Sequence, residues 1–62
     1  MNEYYNVKRL ALVLAIQAEI EGMKAENKQR EIQGDSMAYI DKDFSEKANE
    51  LTNLAYATDE QL

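Results

Sequence analysis

From Asn2 to Ile32 the chain contains no proline and one glycine, Gly22, and is rich in Ala, Leu, Glu, Lys, Gln and Met. These residues lose little free energy on entering a helix, so the segment predicts a single long helix over about residues 3 to 32. Asn2 is suited to cap its start, Glu3 favours the positive end of the helix dipole, and Gly34 can adopt the left-handed conformation that ends it. About 30 residues at 1.5 Å each give a rod roughly 45 Å long. In a chain of 62 residues, a rod of that length leaves little sequence to cover it.

At about 100° per residue the apolar positions of this helix separate into two stripes, where a helix covering one core needs only one. The first runs through Tyr4, Val7, Ala11, Ala15, Ala18, Gly22, Ala25 and Ile32, with mostly small side chains that admit a close neighbour. The second runs through Tyr5, Leu12, Ile16, Ile20 and Met23, with Val13 at its edge. From Leu10 to Ile16 the sequence is apolar all round, which predicts burial on nearly every side.

Gln33-Gly34-Asp35-Ser36 interrupts the pattern, and a second helical periodicity follows in Phe44, Ala48, Leu51 and Leu54 or Ala55. Asp41 or Asp43 can cap it, the latter in a capping box with Glu46. Met37 and Ile40 instead extend the stripe back to a cap at Ser36. The reading favours a start near Asp41 and a second helix over about residues 42 to 57. Thr58 with Gln61 repeats the capping pattern for a last turn. The fold class is all-α, a helical hairpin forming one domain over residues 1 to 62.

A second helix of about 16 residues spans roughly 24 Å and reaches back along only about half of the first. The expectation is that Leu10, Val13 and Leu14 lie beyond it and are covered by another chain, in a homodimeric helical bundle. The oligomer interface then draws on Tyr4, Tyr5, Val7, Leu10 and Ala11, and on Leu12, Val13, Leu14, Ala18 and Gly22. Size agrees, since domains below about 70 to 80 residues usually need disulfides, metals or oligomerisation for stability.

Composition narrows the chemistry. Cysteine and histidine are both absent, so disulfides, thiolate nucleophiles, the usual neutral-pH base and the commonest zinc ligand are all missing. A formal net charge of −5 opposes general binding to nucleic acid or to anionic membranes. Asp41-Lys42-Asp43-Phe44-Ser45-Glu46 imitates the opening of an EF-hand loop, but Glu46 and Thr52 stand where that loop needs glycine and a bidentate glutamate. Many of the carboxylates have cationic neighbours at helical spacing: Glu26 with Arg30, Glu21 with Lys24, Glu46 with Lys42 and Asp43 with Lys47. They read as solvated faces. Glu19, beside the Leu-Ile-Met stripe, has no visible catalytic partner. No catalytic residue, cofactor site or metal site is expected.

Lys8 and Arg9 before the run Leu10 to Ile16, with Val13 and Ala15 as a cleavage pair, imitate a secretory signal, but the apolar core is only about seven residues. No segment approaches the roughly 20 apolar residues of a membrane span. A cytoplasmic protein is expected. Of the four tyrosines, Tyr4 and Tyr5 continue the helix stripes, whereas Tyr39 and Tyr56 fall off the main stripe of the second helix and are candidates for partner recognition.

The stretch Glu19-Ile20-Glu21-Gly22-Met23-Lys24-Ala25-Glu26-Asn27, continuing through Ser36-Met37-Ala38-Tyr39-Ile40-Asp41-Lys42-Asp43-Phe44, resembles small open reading frames of tailed bacteriophages. That resemblance covers less than half the chain and implies a small early protein that binds a host or phage protein, as inhibitors of bacterial defence systems often do. The leading expectation is thus a homo-oligomeric inhibitor or regulator acting in the host cytoplasm. The alternatives are an assembly unit of a larger particle and an acidic mimic of DNA, the latter disfavoured by interspersed charge.

Overall fold

The structure, a computed structural model, describes residues 3–62. Asn2, expected as the first cap, lies outside them. Helix α1 spans Glu3–Gln33, helix α2 spans Asp41–Tyr56, and a short 3-10 turn, η1, covers Asp59–Gln61. The hairpin and all-α expectations agree with this arrangement. No described residue is in a strand.

Helix α1 ends as its sequence requires. Gly34 adopts φ +80°, its N–H donates to the Glu31 carbonyl at 3.1 Å, and the Asp35 N–H donates to the Arg30 carbonyl at 2.8 Å. This pair of bonds is a Schellman motif, and it needs a residue that tolerates the left-handed region. Helix α2 begins at Asp41, but neither Asp41 nor Asp43 is its N-cap. Ile40 holds that position in extended conformation, with φ −111° and ψ 176°. Asp43, in the first turn, accepts the Ile40 N–H at 2.9 Å, so its carboxylate satisfies the backbone from inside the helix. Met37 and Ile40 precede the helix and are exposed, and do not extend its packed face.

The path of residues 34–40 corrects the expected reach of α2. This segment runs back alongside α1, and the Asn27 side chain pairs with the backbone of Tyr39. Asn27 Nδ2 donates to the Tyr39 carbonyl and Asn27 Oδ1 accepts its N–H, both at 2.9 Å. Helix α2 therefore starts level with Asn27, not with the end of α1, and its last turn lies at Arg9, whose Nε donates to the Leu54 carbonyl at 3.1 Å. From Arg9 to Asn27 is about 27 Å of α1, close to the length of α2. Leu10, Val13 and Leu14 are within this span. Val13 is half-buried, while Leu10 and Leu14 are exposed because they face away from α2.

The contact between helices uses the second stripe of α1. Tyr5, Val13, Ile16 and Ile20 are half-buried and Met23, at 7% exposure, is the single buried hydrophobic among the described residues. Opposite them α2 offers Phe44, Leu51 and Leu54, as its periodicity predicts. Ala48 is exposed, however, and Lys47 takes the packed position in its place. The molecule is elongated, 49 × 18 × 10 Å with a radius of gyration of 14.8 Å, against about 11 Å for a compact domain of this length.

Candidate interaction surfaces

The first stripe of α1 faces away from α2. Tyr4, Val7, Ala11, Ala15, Ala18, Gly22, Ala25 and Ile32 are all exposed, and so are Leu10 and Leu14 beside them. The large members are far from buried: Tyr4 is 65% exposed, Val7 67%, Leu10 59% and Leu14 55%. Between residues 4 and 18 this sector of the wheel carries no charged residue. The result is a continuous apolar strip roughly 180° around the helix from the α2 contact. A Cβ built on Gly22 meets nothing within 4 Å, so none of the described residues makes the close approach that its small neighbours admit.

The ten expected interface residues thus divide. Tyr4, Val7, Leu10, Ala11, Leu14, Ala18 and Gly22 belong to the outward strip, whereas Tyr5, Leu12 and Val13 lie on the side of α1 that meets α2. The rings of Tyr4 and Tyr5 bridge the division edge to face, with centroids 5.2 Å apart and planes at 79°.

A second surface forms where the C-terminal segment closes over α1. Arg9 is its centre. Besides the Leu54 carbonyl, its guanidinium donates to the Ala57 carbonyl at 2.7 Å and lies 3.9 Å from the Asp59 carboxylate. A cation at the negative end of α2, donating to the Leu54 carbonyl, which also accepts the Ala57 N–H at 3.3 Å, and to the Ala57 carbonyl just past the helix, fixes the end of the hairpin. Lys8 donates to the Leu62 carbonyl oxygen, and Thr58 N–H donates to Gln61 Oε1 at 2.8 Å within η1. These bonds frame an open groove lined by Leu12 and Ile16 of α1, Leu54 and Tyr56 of α2, and Leu62. Tyr56, one of the two partner-binding candidates, is 83% exposed at its rim. The other, Tyr39, is half-buried, with its backbone held by Asn27. In the sequence Arg9 stands out only as part of the signal-like Lys8-Arg9 pair, because its acceptors lie 45 and 48 residues away.

Several carboxylates form ion pairs at the surface. Glu26 pairs with Arg30 at 2.9 Å and Glu21 with Lys24 at 3.2 Å, as their spacing predicts. Lys47 departs from the expected pair with Asp43 and bridges Glu19 at 2.5 Å and Glu50 at 3.3 Å. Its hydrogen bond to Glu19 raises the ammonium pKa above the ordinary lysine value, with Glu50 adding to the shift and partial desolvation opposing it. Glu19 therefore has a partner across the hairpin, Lys47 of α2. Asp41 to Glu46 lie in the first turns of α2, not in an ion-binding loop. Among the described residues no group of three acidic side chains is placed to hold a metal ion, and no helix is long and apolar enough to cross a membrane.

No family model, curated protein or solved structure matches the chain.

Proposed function

We propose that this chain is a non-enzymatic protein-binding module that works as a homo-oligomer, a phage-type inhibitor or regulator of a host protein acting in the host cytoplasm. One observation carries the reading: the outward strip of α1 displays Tyr4, Val7, Leu10 and Leu14 to solvent without an intervening charge. Contiguous apolar surface of this kind is characteristic of protein interaction sites. Self-association through the strip leaves the groove beside Tyr56 on the far side of the hairpin for a second protein, with a large, rigid aromatic at its rim.

Two measurements test the parts separately. Sedimentation equilibrium of the unmodified chain is expected to give a concentration-dependent dimer or higher species, abolished by Leu14→Asp; a monomer at all concentrations overturns the oligomer. Capture from phage-infected bacterial lysate with the tagged chain is expected to retain one defined host protein that Tyr56→Ala releases. Retention of virion components alone would instead establish the assembly role and overturn the inhibitor reading.

A further inference from the structure

The outward strip has a finer order than its exposure alone conveys. Tyr4, Ala11, Ala18, Ala25 and Ile32 recur at seven-residue intervals, and Val7 and Leu14 stand three residues after the first two. This is the alternating three-and-four spacing of a helix-pairing seam. The same register continues into Glu21 and Lys28, so the seam is apolar only from residue 4 to residue 18.

That truncation discriminates between orientations. Two parallel copies would set Glu21 against Glu21 and Lys28 against Lys28, like charges facing one another in the seam. Two antiparallel copies centred between Leu12 and Val13 avoid this. Ala11 then faces the partner's Leu14, Val7 faces the partner's Ala18, and Tyr4 closes each end against the partner's Glu21. The flanking positions are complementary in the same register, since Glu3 comes beside the partner's Lys24 on each side of the two-fold axis. Sliding by seven residues to lengthen the seam would carry Glu21 inside against Ala11 and bring Glu3 beside the partner's Glu31.

Surface area agrees with one such contact per chain. The chain exposes 4883 Å², whereas a folded monomer of 7.1 kDa exposes about 4,100 Å². The excess, about 800 Å², goes with the elongated shape of the single hairpin and is of the order that one partner contributes to an interface of standard size.

Resting on the self-association proposed above, we infer that the occupant of the strip is a second copy of this chain, paired antiparallel through α1 with Ala11 facing the partner's Leu14. Because the strip and the α2 contact lie on opposite sides of α1, the assembly is a flat layer in the order α2, α1, α1, α2, with the paired α1 helices inside. It is not a square bundle. Small residues on the strip let the two inner helices approach closely, and the two Tyr56 grooves remain open on the outer faces.

The absence of native cysteine makes the register directly readable. Ala11→Cys and Leu14→Cys are prepared separately, checked for helix content by circular dichroism, sedimented, and oxidised alone and mixed. The mixture is expected to give a heterodimeric disulfide at least tenfold faster than either variant gives a homodimer. Faster Leu14→Cys homodimerisation would mean a parallel pair and overturn the orientation. A sedimenting dimer that cross-links in neither way would mean another face pairs, and a monomer would overturn self-association itself. Glu3→Lys is expected to weaken dimerisation about tenfold, through two exposed charge pairs, and the further change Lys24→Glu to restore it. No restoration in the double variant would overturn the register.

Discussion

Arg9 is the residue whose removal should cost the hairpin most for the fewest atoms lost. Its guanidinium joins the start of α1 to the end of α2 through the Leu54 carbonyl at 3.1 Å and the Ala57 carbonyl at 2.7 Å, with Asp59 at 3.9 Å. Hydrogen bonds to charged groups contribute about 1.5 to 3 kcal/mol each. The side chain is 21% exposed, so water replaces part of what is lost, and a total of about 2 to 3 kcal/mol is expected for Arg9→Ala. A chain of this length has about 3 to 9 kcal/mol in all. At roughly 4 to 8 °C per kcal/mol, the thermal midpoint should fall by about 10 °C or more at equal chain concentration. Arg9→Lys should recover less than half, because an ammonium is a point charge and cannot divide its donors between two carbonyls as the guanidinium does. Hydrogen exchange adds a local readout: amides in the last turn of α2 should lose protection while those beside Met23 keep theirs. A midpoint for Arg9→Ala within 2 °C of the unmodified chain, roughly a quarter to half of a kcal/mol, would refute the assignment of Arg9 as the clasp.

Gly22→Ala should raise the melting midpoint by the equivalent of about 1 kcal/mol, since a Cβ there meets nothing within 4 Å and glycine is the poorer helix former; a lower midpoint, or one lowered further by Gly22→Leu, would show a closely packed neighbour at this position. Asn27→Ala should destabilise the hairpin by about 1 to 2 kcal/mol in chemical denaturation, because it leaves the Tyr39 N–H and carbonyl without their partner; unchanged stability would mean that residues 34–40 do not need this anchor. The raised pKa of Lys47 makes its contribution complete below the ordinary lysine pKa and progressively lost as pH rises through the higher folded value. Glu19→Gln should therefore flatten the alkaline limb of the stability profile relative to the unmodified chain and leave the acid side of that limb parallel; superimposable alkaline limbs would refute the coupling.

The two helices were legible because their determinants are local. Proline is absent, strong helix formers fill α1, Gly34 supplies the positive φ, and Asp41 and Asp43 bias the first turn of α2. The path between them was not local. Reading α2 as beginning opposite the end of α1 treated the link as a simple reversal, whereas the Asn27 amide holds the Tyr39 backbone some 12 residues away in sequence and starts α2 lower down the rod. Every misplacement along the axis follows from that one contact, including the view that Leu10, Val13 and Leu14 outrun α2 and the failure to see carbonyl acceptors waiting for Arg9. The rotation of α2 was misjudged for a different reason. Counting apolar residues favours Ala48 over Lys47, yet a lysine can pack its methylene stem against α1 while its ammonium reaches Glu19 and Glu50 at the edge.

The two stripes of α1 carry opposite lessons about what periodicity determines. The Ile16, Ile20 and Met23 stripe is bulky and finds its complement, Phe44, Leu51 and Leu54, within the chain. The other stripe alternates small and large side chains and faces away from both α2 and the returning link, which lie on the opposite side of the helix. A single α2 of 16 residues cannot wrap both faces of a rod. An apolar strip left over by this geometry contributes to stability only when something outside the protomer buries it. The hairpin itself has one buried hydrophobic residue among those described, and domains of this size commonly draw stability from oligomerisation. Folding and assembly are then expected to be coupled, with the thermal midpoint rising with chain concentration in the unmodified protein and losing that dependence in Leu14→Asp. A midpoint independent of concentration over a hundredfold range would place the stability in the single hairpin and leave the strip without a thermodynamic role.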